Sequence, residues 1–401
     1  MISRPARTPP RTVLLGAALF VAAGSGLYLA APWLLPVRIL EGPLVQQAGE
    51  EAATLIWYTT RPLAAGESQL VVELGSQTRA FAVETYGRRN RVRITGLTAG
   101  QVYPYRIGLG RRTLASGSLH TNRASGSPVS FIVFGDSGSG SAAQYQLAGH
   151  MLSFDGVPDF VLHTGDLVYE RGERSAFKDR FFVPYRRLLA QVNFWPALGN
   201  HDAGKPDFGQ PYFDVFELPE NGPPGLPPER NYWFDYASAR IAVVDSNADE
   251  TTLAQRVAPW LRDALGDGTA TWKFVALHHP PYTAGKYAPD PRIQRTLVPI
   301  FEAVGVDIVF CGHDHLYERT HPLRGGQVVP AGEGVVYVVT GAGGGELYQA
   351  RPPEQRPAYL AALNDQRHSF THVRINGDEL RLRQVDLADR VLDDWTTVKT
   401  R

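Results

Sequence analysis

Five short polar clusters in this 401-residue sequence each follow a predicted strand. They contain carboxylates, an amide, a phenol and imidazoles, which are ligands for hard and borderline cations. Two cations about 4 Å apart can clamp a phosphoryl group while it is displaced, and one carboxylate can serve both. The pattern therefore predicts a dinuclear metal site, built from Asp136, from Asp166 with Tyr169, from Asn200 with His201, from His278 with His279, and from His313 with His315.

The segment from Asp159 to Tyr169 is the stretch around which we expect this site to form. Residues 160–162 are continuously apolar, which is typical of a strand in a sheet that is covered on both faces. Gly165 permits a sharp turn after that strand. Asp166 and Tyr169 are then placed beyond the carboxyl end of the strand, where open α/β sheets bind their ligands.

The surrounding elements alternate in type from Pro128 onwards. A strand over residues 129–134, a helix over 142–153 and the strand before Asp166 predict a right-handed parallel unit. We expect the strands that precede the polar clusters to bring them to one sheet edge. The further predicted strands are residues 193–197, 240–244, 273–277 and 307–311, two antiparallel members of a second sheet at 232–236 and 334–340, and a closing hairpin at 373–375 and 380–385.

Residues 37–122 have an all-β pattern. Short stretches rich in β-branched and aromatic residues alternate with turn residues, at the spacing of a β-sandwich. Residues 97–106 resemble a loop and strand of fibronectin type III domains. The region has no cluster of His, Asp or Glu at ligand spacing, so we expect a structural or positioning role. Residues 122–128 are small and polar and are predicted to form a linker.

The N-terminal residues are predicted to be a membrane segment. Three arginines among the first 11 residues precede an uncharged stretch over residues 13–31. About 20 apolar residues span a bilayer, so residues 1–36 are expected to form an uncleaved anchor. A cleaved signal peptide is the alternative, with residues 22–26 as the cleavage site. Either alternative places the rest of the chain outside the cytoplasm, membrane-anchored or secreted.

Composition narrows the remaining functional classes. The chain has 40 basic and 40 acidic residues, and this balance disfavours a nucleic-acid partner. Cys311 is the only cysteine, so an intrachain disulfide is excluded. The length suggests two domains, and the sequence does not indicate the oligomeric state.

The ordered motifs resemble the purple acid phosphatase family of dinuclear metallophosphoesterases over about residues 128–390. The resemblance implies a four-layer α/β/β/α catalytic domain over residues 128–401, after the fibronectin type III-like sandwich at 37–122. The motifs that carry it are Gly-Asp136-Ser-Gly, Gly-Asp166-Leu-Val-Tyr169, Gly-Asn200-His201-Asp202, Val-Ala-Leu-His278 and Gly-His313-Asp-His315.

The resemblance also assigns roles within the site. A ferric ion would be held by Asp136, Asp166, Tyr169 and His315. A divalent ion (iron, zinc or manganese) would be held by Asn200, His278, His313 and the shared Asp166. His201 matches the position that contacts the phosphate, and we expect His279 to touch the substrate as well.

One loop departs from the family pattern. Plant-type members carry a histidine pair after the motif that ends in His278, whereas residues 282–288 contain none. Lys286 or Tyr287 could contact the leaving group instead, or the loop could be plain surface. We interpret the remaining histidines as structural: His120, His150, His163, His321, His368 and His372.

Three functions are compatible with these residues. The first is hydrolysis of small phosphate monoesters by a metal-bound hydroxide, with turnover on the acid side of neutral. The second is a phosphodiesterase on the same fold. The third is a membrane-tethered binding protein with structural metals. We expect monoesters to be preferred, because the loops at 217–230 and 341–345 are long enough to narrow the site mouth.

Overall fold

A computed structural model describes residues 36–399 of the chain, except residues 205–207, 267 and 269. The predicted membrane anchor or signal over residues 1–36 therefore lies outside the described residues but for its last one. Within the described part of the chain, no helix is both long and apolar enough to cross a bilayer.

The first eight strands form two four-stranded antiparallel sheets. Their strand orders are β1-β2-β6-β5 and β4-β3-β7-β8, and side chains such as Leu55, Trp57 and Ile107 fill the core between them. The all-β prediction for this region agrees with these sheets, and its fibronectin type III character stays a prediction. The strands are β1 (Ile39–Gln46), β2 (Ala52–Thr59), β3 (Ser68–Leu74), β4 (Gln77–Ala82), β5 (Glu84–Tyr86), β6 (Arg89–Thr95), β7 (Val102–Leu109) and β8 (Arg112–His120).

The rest of the chain contains fifteen strands and seven α-helices within the described residues. The strands are β9 (Val129–Phe134), β10 (Phe160–His163), β11 (Asn193–Pro196), β12 (Tyr232–Tyr236), β13 (Ala239–Val243), β14 (Trp272–Ala276), β15 (Ile308–Cys311), β16 (Tyr317–Thr320), β17 (Leu323–Arg324), β18 (Gln327–Val328), β19 (Val336–Thr340), β20 (Leu360–Asn364), β21 (Ser369–Asn376), β22 (Glu379–Asp386) and β23 (Val391–Val398). The helices are α1 (Ala142–Ser153), α2 (Val183–Leu189), α3 (Gln210–Val215), α4 (Glu250–Thr252), α5 (Ala258–Gly266), α6 (Pro291–Thr296) and α7 (Val298–Val304).

A six-stranded sheet contains the first parallel unit. Its order is β11-β10-β9-β21-β22-β23, and β9, β10 and β11 are parallel. The predicted closing hairpin is present as β21 and β22. Helix α1 begins and ends at the predicted residues, and the side chain of Ser141 caps it by accepting from the Gln144 backbone N–H.

A seven-stranded sheet has the order β12-β13-β14-β15-β19-β16-β20. It contains the strands predicted at residues 240–244, 273–277 and 307–311, so the expectation that all clusters share one sheet edge is wrong. The strand predicted to be antiparallel at 334–340 is parallel to β15 and antiparallel to β16. Continuous apolar runs reveal burial on both faces but not the sheet to which a strand belongs.

The two sheets pack face to face and carry helices on their outer faces. Phe131 of β9 contacts Phe274 of β14 and Phe310 of β15 across the interface, with ring centroids 5.7 and 6.4 Å apart. On the outside, Leu147 of α1 packs against the six-stranded sheet and Phe301 of α7 against the seven-stranded sheet. The result is the four-layer α/β/β/α arrangement that was predicted.

Hydrogen bonds and ion pairs connect the N-terminal sheets to the region at the edge of the six-stranded sheet. The Asn193 side chain accepts from the backbone N–H of Ala48 at 3.0 Å and donates to its carbonyl at 2.9 Å. Glu217 forms ion pairs with Arg89 and Arg91 of β6, at 2.8 and 2.7 Å. The loop predicted to narrow the site mouth therefore begins against the N-terminal sheets.

Candidate metal centre

The two sheets are packed so that the carboxyl ends of their parallel strands adjoin. Asp136 and Asp166 follow β9 and β10 of the six-stranded sheet, and both are buried. His278 follows β14, and His313 follows β15, in the seven-stranded sheet. The polar clusters thus meet at a joint edge, where they can form one site.

Three of these residues have backbone conformations that are uncommon for side chains other than glycine. Asp136, Asp166 and His313 have φ values of 56, 57 and 71°. Hydrogen bonds compensate for this strain, because the His313 N–H donates to both carboxylate oxygens of Asp136 at 3.0 and 2.9 Å. The His201 N–H donates to Oδ1 of Asp166 at 3.0 Å. Strained residues of this kind concentrate at functional sites.

Two glycines allow the close packing of these turns. A Cβ on Gly199 would collide with the backbone and carboxylate of Asp166, and a Cβ on Gly312 would lie 2.5 Å from Oδ2 of Asp136. Both glycines precede candidate ligands in the sequence. Because neither glycine has a side chain, the neighbouring strand ends can approach each other.

Backbone carbonyls fix the orientation of three imidazoles. Nδ1 of His278 lies 2.9 Å from the carbonyl of Thr164, and Nδ1 of His315 lies 2.7 Å from that of Glu346. Nδ1 of His201 lies 2.5 Å from the carbonyl of residue 170. A carbonyl only accepts, so each Nδ1 carries the proton, and Nε2 is left with a free lone pair. Metal-binding histidines are oriented in this way.

The free nitrogens face oxygen acceptors. Nε2 of His278 lies 3.5 Å from Oδ2 of Asp166, and Nε2 of His315 lies 3.6 Å from Oδ1 of Asp136. Lone pairs that converge on carboxylates repel each other unless a proton or a cation lies between them. The phenol of Tyr169 joins the second group, with its hydroxyl 2.9 Å from Nε2 of His315.

The remaining predicted ligands complete this arrangement. Oδ1 of Asn200 lies 2.9 Å from Nε2 of His278 and 3.0 Å from Nδ1 of His313. Two groups of three residues have ligand atoms that lie within 4.8 Å of one another and could hold an ion. One group is Asp136, Asp166 and His278, and the other is His278, His279 and His313. The structure therefore brings all nine predicted site residues together.

Burial determines the electrostatics of the site. It raises the pKa of Asp136 well above its usual range, and the charge of Asp166 raises it further. Burial also raises the pKa of Asp166 to about 6. The pKa values of the imidazoles are lowered by burial, to about 3 for His278 and His313 and about 4 for His315. Bare charges are disfavoured here, and bound cations would offset that cost.

Two supporting residues were not singled out from the sequence. Asp202 is buried and accepts from the backbone N–H groups of Leu167, Val168 and Gly199 at 3.0 to 3.2 Å. It thereby joins the loops that carry Asp166 and Asn200. Ser246 accepts from the backbone N–H groups of His278 and His279 and contacts Nδ1 of His279 at 2.8 Å. Both residues lie in stretches that resemble the family, at residues 199–202 and 244–246, but the resemblance gave neither of them a role.

Two tyrosines form a wall beside the imidazoles. The Tyr287 ring stacks on His313 with centroids 4.3 Å apart, and the Tyr348 ring stacks on His315 at 4.0 Å. Tyr287 belongs to the loop that departs from the family pattern, which is therefore packed against the site. Tyr348 was missed, because it lies in a Gly-rich loop without a recognisable spacing.

One histidine interpreted as structural lies close to the site without facing it. His163 is fully buried, its Nε2 lies 2.9 Å from Oγ of Ser137, and burial lowers its pKa to about 3. These contacts agree with a structural role.

Comparison with known proteins places this site in a recognised domain. Residues 129–317 match the calcineurin-like phosphoesterase family model. Purple acid phosphatase 3 of Arabidopsis thaliana is 27% identical, over 67% of this chain and 77% of its own. A nucleotide pyrophosphatase/phosphodiesterase of Hordeum vulgare is 29% identical, over 54% of this chain and 68% of its own.

A solved structure extends the likeness to most of the fold. Purple acid phosphatase PPD1 from yellow lupin seeds aligns with 89% of this chain and 74% of its own, with a TM-score of 0.75 and 17% identity. The chain thus contains a calcineurin-like metallophosphoesterase domain and is related to the purple acid phosphatases, which confirms the resemblance seen in its motifs.

Proposed function

We propose that this chain is a metal-dependent hydrolase that prefers phosphate monoesters and uses a ferric and a divalent ion. The convergence of free imidazole lone pairs on buried carboxylates carries this proposal. Such donors suit cations, and thiolate ligands are lacking among the described residues of the site. The family match supports phosphoester hydrolysis in general, and the monoester preference and the metals are our own assignment.

The residues divide between the two proposed ions. The ferric ion would be held by Asp136, Tyr169 and His315, and the divalent ion by Asn200, His278 and His313, with Asp166 shared. When bound, the cations would neutralise phosphate oxygens and activate a water molecule as the nucleophile. The iron, zinc or manganese identity of the divalent ion follows from the family resemblance alone.

His201 is the candidate for contacting the transferred phosphoryl group. Its side chain is 34% exposed, and Nε2 lies 4.0 Å from Oδ2 of Asp166. The carbonyl of Glu170 holds Nδ1, so Nε2 is directed toward the site. In its imidazolium form, with a proton on Nε2 as well as on Nδ1, it would hold a phosphate oxygen or give a proton to the departing alkoxide, an effect of about 10²–10⁴-fold on rate.

His279 is the second candidate for substrate contact. Its ring lies 4.7 Å from that of His313 and 5.0 Å from that of His278. Ser246 contacts its Nδ1, which leaves Nε2 for a phosphate oxygen or a metal ion. Its position beside the proposed divalent ion supports a role in holding the substrate.

The shape of the mouth favours monoesters. Tyr287 and Tyr348 cover one side of the site, and their rings meet edge to face with centroids 5.9 Å apart. A diester carries a second substituent, which would have to pass this wall. A monoester also offers more negative charge to two cations. Diester hydrolysis is the second candidate, because the relative from Hordeum vulgare is named a nucleotide pyrophosphatase/phosphodiesterase.

The test compares kcat/KM for an aryl phosphate with that for the matching bis-aryl diester, each at its own pH optimum. We expect the larger value for the monoester. A larger value for the diester would replace our proposal with the second candidate. Binding of two metal ions without hydrolysis of either ester would favour a binding protein with structural metals.

A further inference from the structure

The loop after the His278–His279 pair presents one charged side chain beside the site. Residues 281–285 are buried, and Lys286 at the tip of the loop is exposed. Its Nζ lies 4.1 Å from the ring centroid of Tyr348 and 5.4 Å from that of Tyr287. The ammonium is therefore held over two aromatic rings by cation–π attraction.

These rings connect Lys286 to the candidate ligands. Tyr348 stacks on His315 with an angle of 8° between the rings, and Tyr287 stacks on His313 with an angle of 21°. The ammonium and the His315 ring therefore lie against the same tyrosine. Both distances to the Tyr348 centroid are about 4 Å, so Nζ lies within about 8 Å of the centre of the His315 ring, a distance that the leaving group of a phosphate ester can span.

Hydrogen bonds to two buried carboxylates hold the loop in place. Asp314 accepts from the Thr283 hydroxyl at 2.8 Å and from the Tyr287 N–H at 3.1 Å. Glu318 accepts from the Ala284 N–H at 2.8 Å. These bonds fix the backbone on both sides of the tip. Lys286 is thus pre-organised, which lowers the entropy cost of binding a ligand.

No ion pair joins Lys286 to a carboxylate in the described part of the chain. The ring of Tyr348, in contrast, is in contact with His315 and with the lysine. Stacking of a substrate on this tyrosine is therefore disfavoured. The ammonium is the group that remains for recognition.

We propose that Lys286 selects phosphate esters whose leaving group carries a second negative charge. A phosphoryl group held by the candidate ligands would place its leaving group at the mouth, where the ammonium lies. The leaving-group anion is a carboxylate or a second phosphoryl group, which share this chemistry. The inference rests on the proposed phosphoesterase function and specifies its substrate class.

The test uses two esters that differ in charge but hardly in shape, 4-carboxyphenyl phosphate and 4-carbamoylphenyl phosphate. We expect the wild type to have the larger kcat/KM for the carboxylate. Lys286→Met should lower the ratio of the two values about fivefold, and Lys286→Arg should retain it. Raising the salt concentration should lower the ratio in the wild type but not in Lys286→Met. A third ester, 4-(phosphonomethyl)phenyl phosphate, distinguishes the two anions. If its kcat/KM relative to the carbamoyl ester exceeds that of the carboxylate, a second phosphoryl group is the preferred anion, and if it is smaller, a carboxylate is preferred.

The matched control is Lys399→Met. Lys399 also lies over an aromatic ring, at 5.1 Å from Trp272, and pairs with Asp307. Trp272 begins β14, so this lysine lies at the edge of the sheet opposite the site. Its loss should leave the ratio unchanged. An equal ratio in the wild type and Lys286→Met, with both esters hydrolysed, would overturn the inference. Hydrolysis of neither ester by the wild type would refute the proposed function and the inference with it.

Discussion

The two sheets of the α/β region contribute different kinds of candidate ligand. The loops after the strands of the six-stranded sheet supply oxygen atoms, from Asp136, Asp166, Tyr169 and Asn200. Those of the seven-stranded sheet supply imidazoles, from His278, His313 and His315. The two ions that we propose would draw on both sets.

The sheets also orient each other's ligands. The carbonyl of Thr164, after β10, fixes the ring of His278 from the other sheet. The backbone N–H of His313, after β15, in turn holds the carboxylate of Asp136. The geometry of the site therefore depends on how the sheets pack, and not only on which residues end their strands.

The largest effect is expected when Asp166, the carboxylate that we assign to both ions, is altered. Asp166 lies 3.5 Å from His278 and belongs with Asp136 to one ligand group. Asp166→Asn should therefore lower metal occupancy at both positions, as measured by elemental analysis, and abolish most hydrolysis. Asp394→Asn, which changes an exposed carboxylate of β23, is the control and should keep both ions. Full retention of one ion with loss of the other would count against sharing.

A second test disturbs the interface between the sheets without touching a ligand. Phe131→Ala should cost about 3–5 kcal/mol of stability, because it leaves a cavity among Phe274 and Phe310. Thermal unfolding measures this loss. Phe301→Ala is the matched control, since this fully buried side chain packs on the outer face of one sheet.

The two variants should differ in their metal content. With comparable losses of stability, Phe131→Ala should bind less metal than Phe301→Ala at a temperature where both are folded. Equal metal content would show that the ligand loops hold their positions independently of the sheet interface.

The smallest effect concerns a single ligand of the oxygen-supplying sheet. Tyr169 would give the oxidised protein a violet colour through charge transfer from phenolate to ferric iron. Tyr169→Phe should remove the colour while leaving much of the activity, since the other candidate ligands remain. Tyr348→Phe, next to the same histidine, should stay violet. A wild type that is loaded with oxidised iron and colourless would disprove this assignment.

The sequence predicted the strands and the polar clusters after them better than it predicted which strands pair in one sheet. Polar residues after apolar runs indicated Asp136, Asp166 and His278, because strand ends are marked by local turn chemistry. The assignment of β14 and β15 to a second sheet was missed. Strand pairing depends on side-chain packing between distant segments, such as that of Phe131 with Phe274, which periodicity does not encode.

The supporting residues were the least predictable. Tyr348 and Ser246 lie in loops without regular spacing, and they reach the site only through tertiary contacts with His315 and His279. Loop residues of this type have no local signature, even where they contact candidate ligands.

We propose that the joint edge of the two sheets holds two metal ions, one of them iron. Elemental analysis of the wild-type protein, purified without chelators and corrected for protein concentration, tests it most directly. We expect about two metal ions per chain, with iron making up about one of them. A preparation that hydrolyses an aryl phosphate while containing one ion per chain or fewer, or no iron, would contradict it.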